Sequence, residues 1–389
     1  MTRTHADLVA DLRAANAVPA GWGDVFAAID RGVFVPDRCW VDDEHGRPVP
    51  LDRDAGPHAW AQAVYSDVPI VTQLDDGATE WPATSRNATS SASQPSLVLE
   101  MLDALHVAGA HQVLEIGTGT GYNAGLLAAR LGEERVVTVE VDPDLADRAR
   151  RVFKNAGLAP TVVTGDGADG YPERAPYDRV LSTAAVTAGR VPLEWVEQTR
   201  PGGELVMPWR TAWGGGVLVR LMVHEGTGAA GSVLDDAHFM TLRDQRVPFG
   251  QAARFGRLAA GADVPRTTTG VSPHVVVHDP DAAFVVGVLV GGARHSVARD
   301  DADHWELLVF HTDSGSWATV RVTPEATAAG RYEVRQDGPR RLWDEVESAH
   351  RWWIDHDSPL RQEFGLAVTP RRQTVWLCDP DTVVATYTT

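Results

Sequence analysis

The chain has 389 residues, 43% of them hydrophobic, and carries 53 acidic against 35 basic side chains for a formal net charge of −18. That length exceeds one typical domain and the apolar content fills at least one large core, so two domains are expected. The acidic balance argues against a nucleic-acid surface, which needs clustered lysine and arginine, and two distant cysteines, Cys39 and Cys378, imply neither a disulfide framework nor a zinc site and fit a reducing cytoplasm.

The amino-terminal text "MTRTHADLVADLRAANAV" places charges through its apolar positions and so does not read as a signal peptide. No run of about 18 apolar residues marks a membrane span, and a soluble protein without membrane contact is expected. Residues 6–35 read as two short helices split by Pro19, Ala20 and Gly21. From Val41 to Trp81 the chain is rich in Pro, Gly and Asp, and reads as loops with at most a small hairpin. The run "SSASQP", Ser90 to Pro95, has the composition of a loop, because serine competes for backbone hydrogen bonds and proline cannot donate one. It leads into "SLVLEMLDAL", where Leu97, Val98, Met101, Leu102 and Leu105 make one helical stripe.

A regular alternation follows: "QVLEIG" as strand, "YNAGLLAARLG" as helix, "RVVTVEVD" as strand and "PDLADRARRVFKNAG" as helix. Asp142 and Pro143 suit an N-cap and first helical position, and Gly132 and Gly157 stand where helix-ending glycines belong. The pattern continues through "TVVTGDG", "YDRVLSTAAV", "PLEWVEQT", "GELVMPW" and "GVLVRLMVHE", which predicts an α/β, doubly wound, mainly parallel sheet. In such a sheet the ligand lies beyond the carboxyl ends of the strands, here at "LEIGTGTGYNAG". The turn also fits the permissive dinucleotide fingerprint, Gly119-x-Gly121-x-x-Ala124 with Glu140 downstream, so NAD competes with S-adenosyl-L-methionine as the ligand. Charge favours the latter. Glu115 beside the glycines would repel a pyrophosphate and attract an ammonium and a sulfonium, while Glu140 can accept from ribose hydroxyls for either ligand. Asp166 in "GDG" is placed to accept from an exocyclic adenine amine, with Gly165 and Gly167 permitting a tight turn.

These stretches, "VLEIGTGTGYNAGLLA", "GDG", "APYDRV" and "RPGGELVMP" behind "SASQPSLV", resemble the protein-L-isoaspartate O-methyltransferases over roughly residues 5–245, and "DRGVFVP" resembles the end of their amino-terminal helix. The resemblance implies a Rossmann-like methyltransferase domain over 89–245, with 1–88 as its helical and loop segment. It implies S-adenosyl-L-methionine as cofactor, S-adenosyl-L-homocysteine as product, and a peptide or protein substrate carrying Asp or isoAsp. It assigns Ser91, Ala92, Ser93 and Gln94 to a loop over the methyl donor, with Ser93 presenting its hydroxyl to the acceptor carboxylate. The donor-binding set is completed by Glu115, Gly117, Thr118, Gly119, Glu140, Val141, Gly165, Asp166 and Gly167. "STAAVTAGRVP" departs from the family's small-residue run at Thr183 and Ala184, which leaves substrate contacts there open. The histidines are assigned no metal-ligand role, and no metal is expected.

Beyond Arg243 the resemblance ends. "SPHVVVHD", "AAFVVGVLVGG", "HWELLVFHT", "SWATVRVTP" and "GRYEVRQ" read as strands, "PRRLWDEVESAHRWWIDH" as a helix, and "FGLAVTP" with "QTVWLCDP" as a closing hairpin. Residues 250–389 are therefore expected to form a smaller, separate α+β domain. Leu342, Val346, Ala349 and Trp353 share its helix's core stripe, and Trp343 and Trp352, off that stripe, are candidates to face a peptide. An added domain suggests a dedicated partner, as in relatives that tailor ribosomally made peptides by methylating an aspartate. The alternative is general repair with a structural or oligomerisation module; the oligomeric state is left open.

Overall fold

The computed structural model describes residues 2–44, 46–248, 250–301 and 303–388. Strand Val113–Ile116 is buried along its whole length, as its run of apolar residues around Glu115 requires of a strand covered on both faces. It pairs in parallel with Val136–Glu140 on one side and Tyr177–Ser182 on the other. Around this pair runs a sheet whose spatial order is Thr161–Thr164, Val136–Glu140, Val113–Ile116, Tyr177–Ser182 and Thr199–Arg210, all parallel. The antiparallel strands Gly216–His224 and Gly228–Asp236 then extend it. One face packs against helices Pro95–Ala104 and Tyr122–Leu131 through Leu99, Val113, Leu127 and Val136. The other face buries Leu114, Ile116, Val137 and Val139 together with Trp195, Trp209 and Phe284. This is the doubly wound α/β arrangement expected for the methyltransferase portion.

The chain does not divide cleanly at residue 250. Strand Phe364–Val368 pairs antiparallel with Gly228–Asp236, and Arg372–Leu377 and Val383–Thr388 follow it, so the closing segment finishes the large sheet as its outer strands. Only the stretch between forms a sheet of its own, in the order Arg266–Thr269, Tyr332–Asp337, Ser316–Val322, Trp305–His311 and Arg294–Arg299. Even there the two units share a core. Phe284, on a helix of this second unit, contacts Trp209 at 5.9 Å and Phe364 at 5.1 Å between ring centroids. Arg361 bridges Asp236 and Asp281, at 2.8 Å to each.

Other expectations need correction. "SPHVVVHD" and "AAFVVGVLVGG" are not strands but helices, Pro273–His278 and Pro280–Leu289, started by prolines at their first positions and, in the second, by Asp279 accepting from the amides of Asp281 and Ala282. The second helix is buried nearly all round, so its apolar run shows no helical period. Trp343 cannot face a peptide, being buried to 1% exposure in the core of the second unit; Trp352 is half-buried and stacks on His356 at 4.0 Å. The stretch from Val41 to Trp81 is more ordered than its composition suggests. Arg38–Asp42, Pro48–Asp52, Ile70–Leu74 and Ala88–Ala92 form a four-stranded antiparallel sheet, closed over helix Pro57–Val64 by Cys39, Trp60, Val64 and Ile70. Among the described residues no helix is long and apolar enough to cross a membrane.

Candidate active site

At the carboxyl ends of the parallel strands lies a cavity of about 730 Å³, within the range that holds a cofactor-sized ligand. Its floor is the turn Gly117-Thr118-Gly119-Thr120, leading into helix Tyr122–Leu131. The glycines are obligatory here. Gly117 sits at φ +93° and Gly121 at +88°, and a Cβ would meet Thr183 Oγ1 at 2.8 Å in the first case and Phe153 at 2.8 Å in the second.

Glu115 is placed differently from its expected role. It is wholly buried beneath the turn, outside the cavity lining, and both carboxylate oxygens are engaged. Asn123 Nδ2 donates to one at 2.6 Å and Thr138 Oγ1 to the other at 2.5 Å. Burial pushes its pKa up to about 7, against the pull of these two donors. Its direct contact is with the helix that follows the turn and with the neighbouring strand, which makes it a brace for the glycine loop. Glu140, 6% exposed, does line the cavity; it accepts from the Gly119 amide at 2.8 Å and the Asp142 amide at 3.1 Å, and burial raises its pKa above the usual carboxylate value.

Val141, Asp166 and Gly167 line the same wall, while Gly165 lies behind it, donating to Glu140 O at 3.0 Å. Asp166 is exposed; one oxygen accepts from the Ala168 amide at 2.9 Å and caps the short 3-10 turn Gly167–Asp169. A Cβ on Gly167 would stand 2.5 Å from Ile116 Cγ2, so glycine is needed there for close approach.

The serine run forms the opposite wall, and most of it is strand. Ala88–Ala92 pairs with Ile70–Leu74, and Ser90 is buried, accepting from Thr72 Oγ1 at 3.1 Å. Neither Ser90 nor Ser91 caps the following helix. Asp67 accepts from the Ser96 amide at 2.8 Å, and Gln94 Nε2 donates to Asp67 at 3.1 Å. Ser91, Ser93 and Gln94 line the cavity together with Gly117, Thr118 and Gly119; Ala92, at 1% exposure, does not. The sequence alone does not disclose what anchors this wall. Arg31, in "DRGVFVP", is fully buried and donates to the carbonyls of Val64, Ser66, Val68, Ala92 and Ser93 at 2.8–3.2 Å. Burial pulls its pKa down to about 10. One guanidinium thereby ties the turn after helix Pro57–Val64 to the backbone that carries Ser93.

Thr183 donates to Gly117 O at 2.6 Å and lines the cavity, giving the divergent loop a part in fixing the glycine turn. His274 and His278 stand at i and i+4 on their helix, so the sequence does contain one H-x-x-x-H spacing, contrary to expectation. They pack around Trp305 at 4.8 and 6.2 Å, and among the described residues no group of three or more His, Cys, Asp or Glu is arranged to hold a metal.

Residues 51–246 match the sequence model of the family described as protein-L-isoaspartate(D-aspartate) O-methyltransferase. Among curated relatives, a protein-L-isoaspartate O-methyltransferase of Anaeromyxobacter dehalogenans is 39% identical over 187 residues, 48% of this chain and 71% of the relative. One from Ignicoccus hospitalis is 42% identical over 132 residues, 33% of this chain and 62% of the relative. Most matches span about half to three-fifths of the relatives' own length. A solved structure named protein-L-isoaspartate O-methyltransferase shares the fold across 94% of this chain and 96% of its own, at 20% identity and a TM-score of 0.50, so its likeness reaches the carboxyl-terminal unit as well. With half of its length matched to the family's own pattern, glycine turn and serine strand included, the chain belongs to the protein-L-isoaspartate(D-aspartate) O-methyltransferase family.

Proposed function

We propose that the chain is an S-adenosyl-L-methionine-dependent O-methyltransferase that esterifies an aspartyl or isoaspartyl carboxylate of a peptide. The observation that carries this reading is one cavity in which Ser91, Ser93 and Gln94 face the glycine turn, Glu140 and Asp166. The residues fit such a donor. The carboxylates of Glu140 and Asp166 and the backbone of Gly167 offer acceptors for ribose hydroxyls and an adenine amine. When bound, S-adenosyl-L-methionine supplies an electrophilic methyl group, and S-adenosyl-L-homocysteine is left as the sulfide.

An acceptor carboxylate is already ionised near pH 7, so its oxygen can form the new bond to the methyl carbon without a general base. What the chain contributes is position. Ser93, fixed at its carbonyl by Arg31, presents a short hydroxyl that can donate to the acceptor and hold it in line with the breaking carbon–sulfur bond, an orientation worth several kcal/mol. The ester then collapses when the next residue's amide nitrogen attacks its carbonyl, loses its proton and expels methanol to leave a succinimide. We further propose that the substrate is a dedicated peptide, as in tailoring of a ribosomally made peptide, rather than the varied targets of broad repair. The second unit completes the catalytic sheet rather than hanging from it. Calorimetry with S-adenosyl-L-homocysteine and with NAD tests the donor: the first should bind and the second should not.

A further inference from the structure

The cavity continues past Met240 into a second recess of about 490 Å³, with Ala88, Arg210, Met240, Thr241, Arg243 and Arg246 common to both. In a chain with net charge −18 the sign reverses here. Four arginines, Arg210, Arg243, Arg246 and Arg294, line the recess against a single carboxylate, Asp76. Asp76 is already shared, 3.1 Å from Arg243 and 2.8 Å from Arg246, and Arg243 also reaches Asp142 at 3.2 Å. Among the described residues neither Arg210 nor Arg294 has a carboxylate partner within ion-pair distance, and the Arg210 guanidinium donates to Thr241 Oγ1 at 3.5 Å. Both are half-buried. A guanidinium drawn from water without an anion in contact is unfavourable, and burial lowers the pKa of each; at Arg294 the charge of Arg210 adds to the effect and the more distant Asp313 carboxylate opposes it.

Their convergence is built by the fold. Arg210 ends strand Thr199–Arg210 of the large sheet, and Arg294 begins strand Arg294–Arg299 of the second unit. Trp213, three residues beyond Arg210, is 2% exposed inside the second unit's core, donates to Val276 O at 2.9 Å and meets His295, next to Arg294, at 4.8 Å between rings. Gly287 leaves the room this crossing needs, since a Cβ there would lie 2.1 Å from Thr211 Oγ1.

We propose that Arg210 and Arg294 form a subsite for a second carboxylate of the peptide substrate, so that the enzyme selects acidic peptides in which a Glu or Asp flanks the methyl-accepting residue. The proposal rests on the methyl-transfer reading and deepens it. Through Arg294 the second unit reads the substrate's charge next to the reacting group.

The test uses the full chain and isoaspartyl peptides that carry one Glu at each flanking position in turn, each paired with its Gln counterpart. The wild type should favour the Glu peptide at one position by about tenfold or more in kcat/KM. Arg294→Gln should bring that ratio close to one, Arg294→Lys should restore part of it, and Arg299→Gln, on the same strand, should keep it. A wild-type ratio near one at every position, with methyl transfer proceeding, overturns the subsite. If no peptide is methylated, the methyl-transfer reading fails on its own, and fluorescence anisotropy with the same labelled peptides still decides the subsite: a preference for Glu over Gln that Arg294→Gln removes supports it, and equal binding refutes it.

Discussion

The two ends of the cavity are built by opposite means. The proposed donor end comes from one continuous stretch, Val113 to Gly167, in which glycine turns and buried carboxylates follow one another along the sequence. The proposed acceptor end is assembled from Arg31, Asp76, Ser93, Arg210, Arg243, Arg246 and Arg294, drawn from every third of the chain. Backbone conformation fixes the first, while tertiary packing fixes the second. Damage at the donor end should therefore stay local, whereas damage at the acceptor end should spread into stability.

The largest expected effect breaks that contrast at its structural root. Ending the chain after Leu360 removes the outer strands and with them the buried Phe364, Leu366, Val368, Val375 and Leu377. At roughly 1.5–3 kcal/mol each, their loss is on the order of 10 kcal/mol, comparable with the whole stability of a typical domain. Calorimetry should show no cooperative unfolding transition; a truncated chain that melts like the full one would show that the closing strands are dispensable. For the same reason, a cut near Arg243 is a poor way to isolate the catalytic unit.

Arg31→Ala should cost about 3–5 kcal/mol, because five buried carbonyls lose their donor at once. Denaturant titration reads this directly, and a change below about 1 kcal/mol would mean that water replaces the guanidinium. Ser93→Ala should lower turnover by about ten- to a thousandfold with donor affinity nearly constant, since the lost contact acts mainly in the transition state. An equal loss in Ser90→Ala, whose hydroxyl accepts from Thr72 Oγ1 in the neighbouring strand, would instead mean that strand folding is being measured.

Smaller effects sharpen the donor end. Asp166→Ala should weaken S-adenosyl-L-homocysteine by about 1–3 kcal/mol in calorimetry; unchanged affinity would leave Asp166 only its cap on Ala168. Glu115 carries a pH signature. Its folded pKa of about 7 exceeds the ordinary 4.5, so the folded state holds the proton longer than the unfolded chain, and this group's contribution to stability falls as pH rises from about 4.5 to 7. Glu115→Gln should flatten that part of the stability-against-pH curve. An unaltered slope would place the titration elsewhere.

The same contrast explains what is legible in the sequence. The glycine turn, Asp142 as helix cap, and the parallel strands are readable because each depends on neighbours a few residues away. Helix 280–289 passes for a strand because a Val-rich segment buried nearly all round shows no helical period, and helix 273–278 because its six Val-rich residues are too few to display one. The run Ser90–Ser91–Ala92 looks like a loop because its partner strand, Ile70–Leu74, lies in text dominated by turn-formers. Glu115 reads as a ligand contact because its position at a strand end says nothing of Asn123 and Thr138 beneath the turn. The proposed role of Arg294 has no signal in the sequence, since the burial of Trp213 across the seam is what brings it to Arg210.

Transfer of a methyl group to a peptide carboxylate in this cavity is the proposal on which the rest depends. Intact-mass measurement of an isoaspartyl peptide and its aspartyl counterpart, incubated with the full chain and S-adenosyl-L-methionine, tests it most directly. The expected result is a gain of one methylene on the peptide, followed by loss of methanol to the succinimide, both abolished when S-adenosyl-L-methionine is omitted. A chain that binds the donor yet leaves the mass of both peptides unchanged, across acidic and neutral flanking sequences alike, would contradict it.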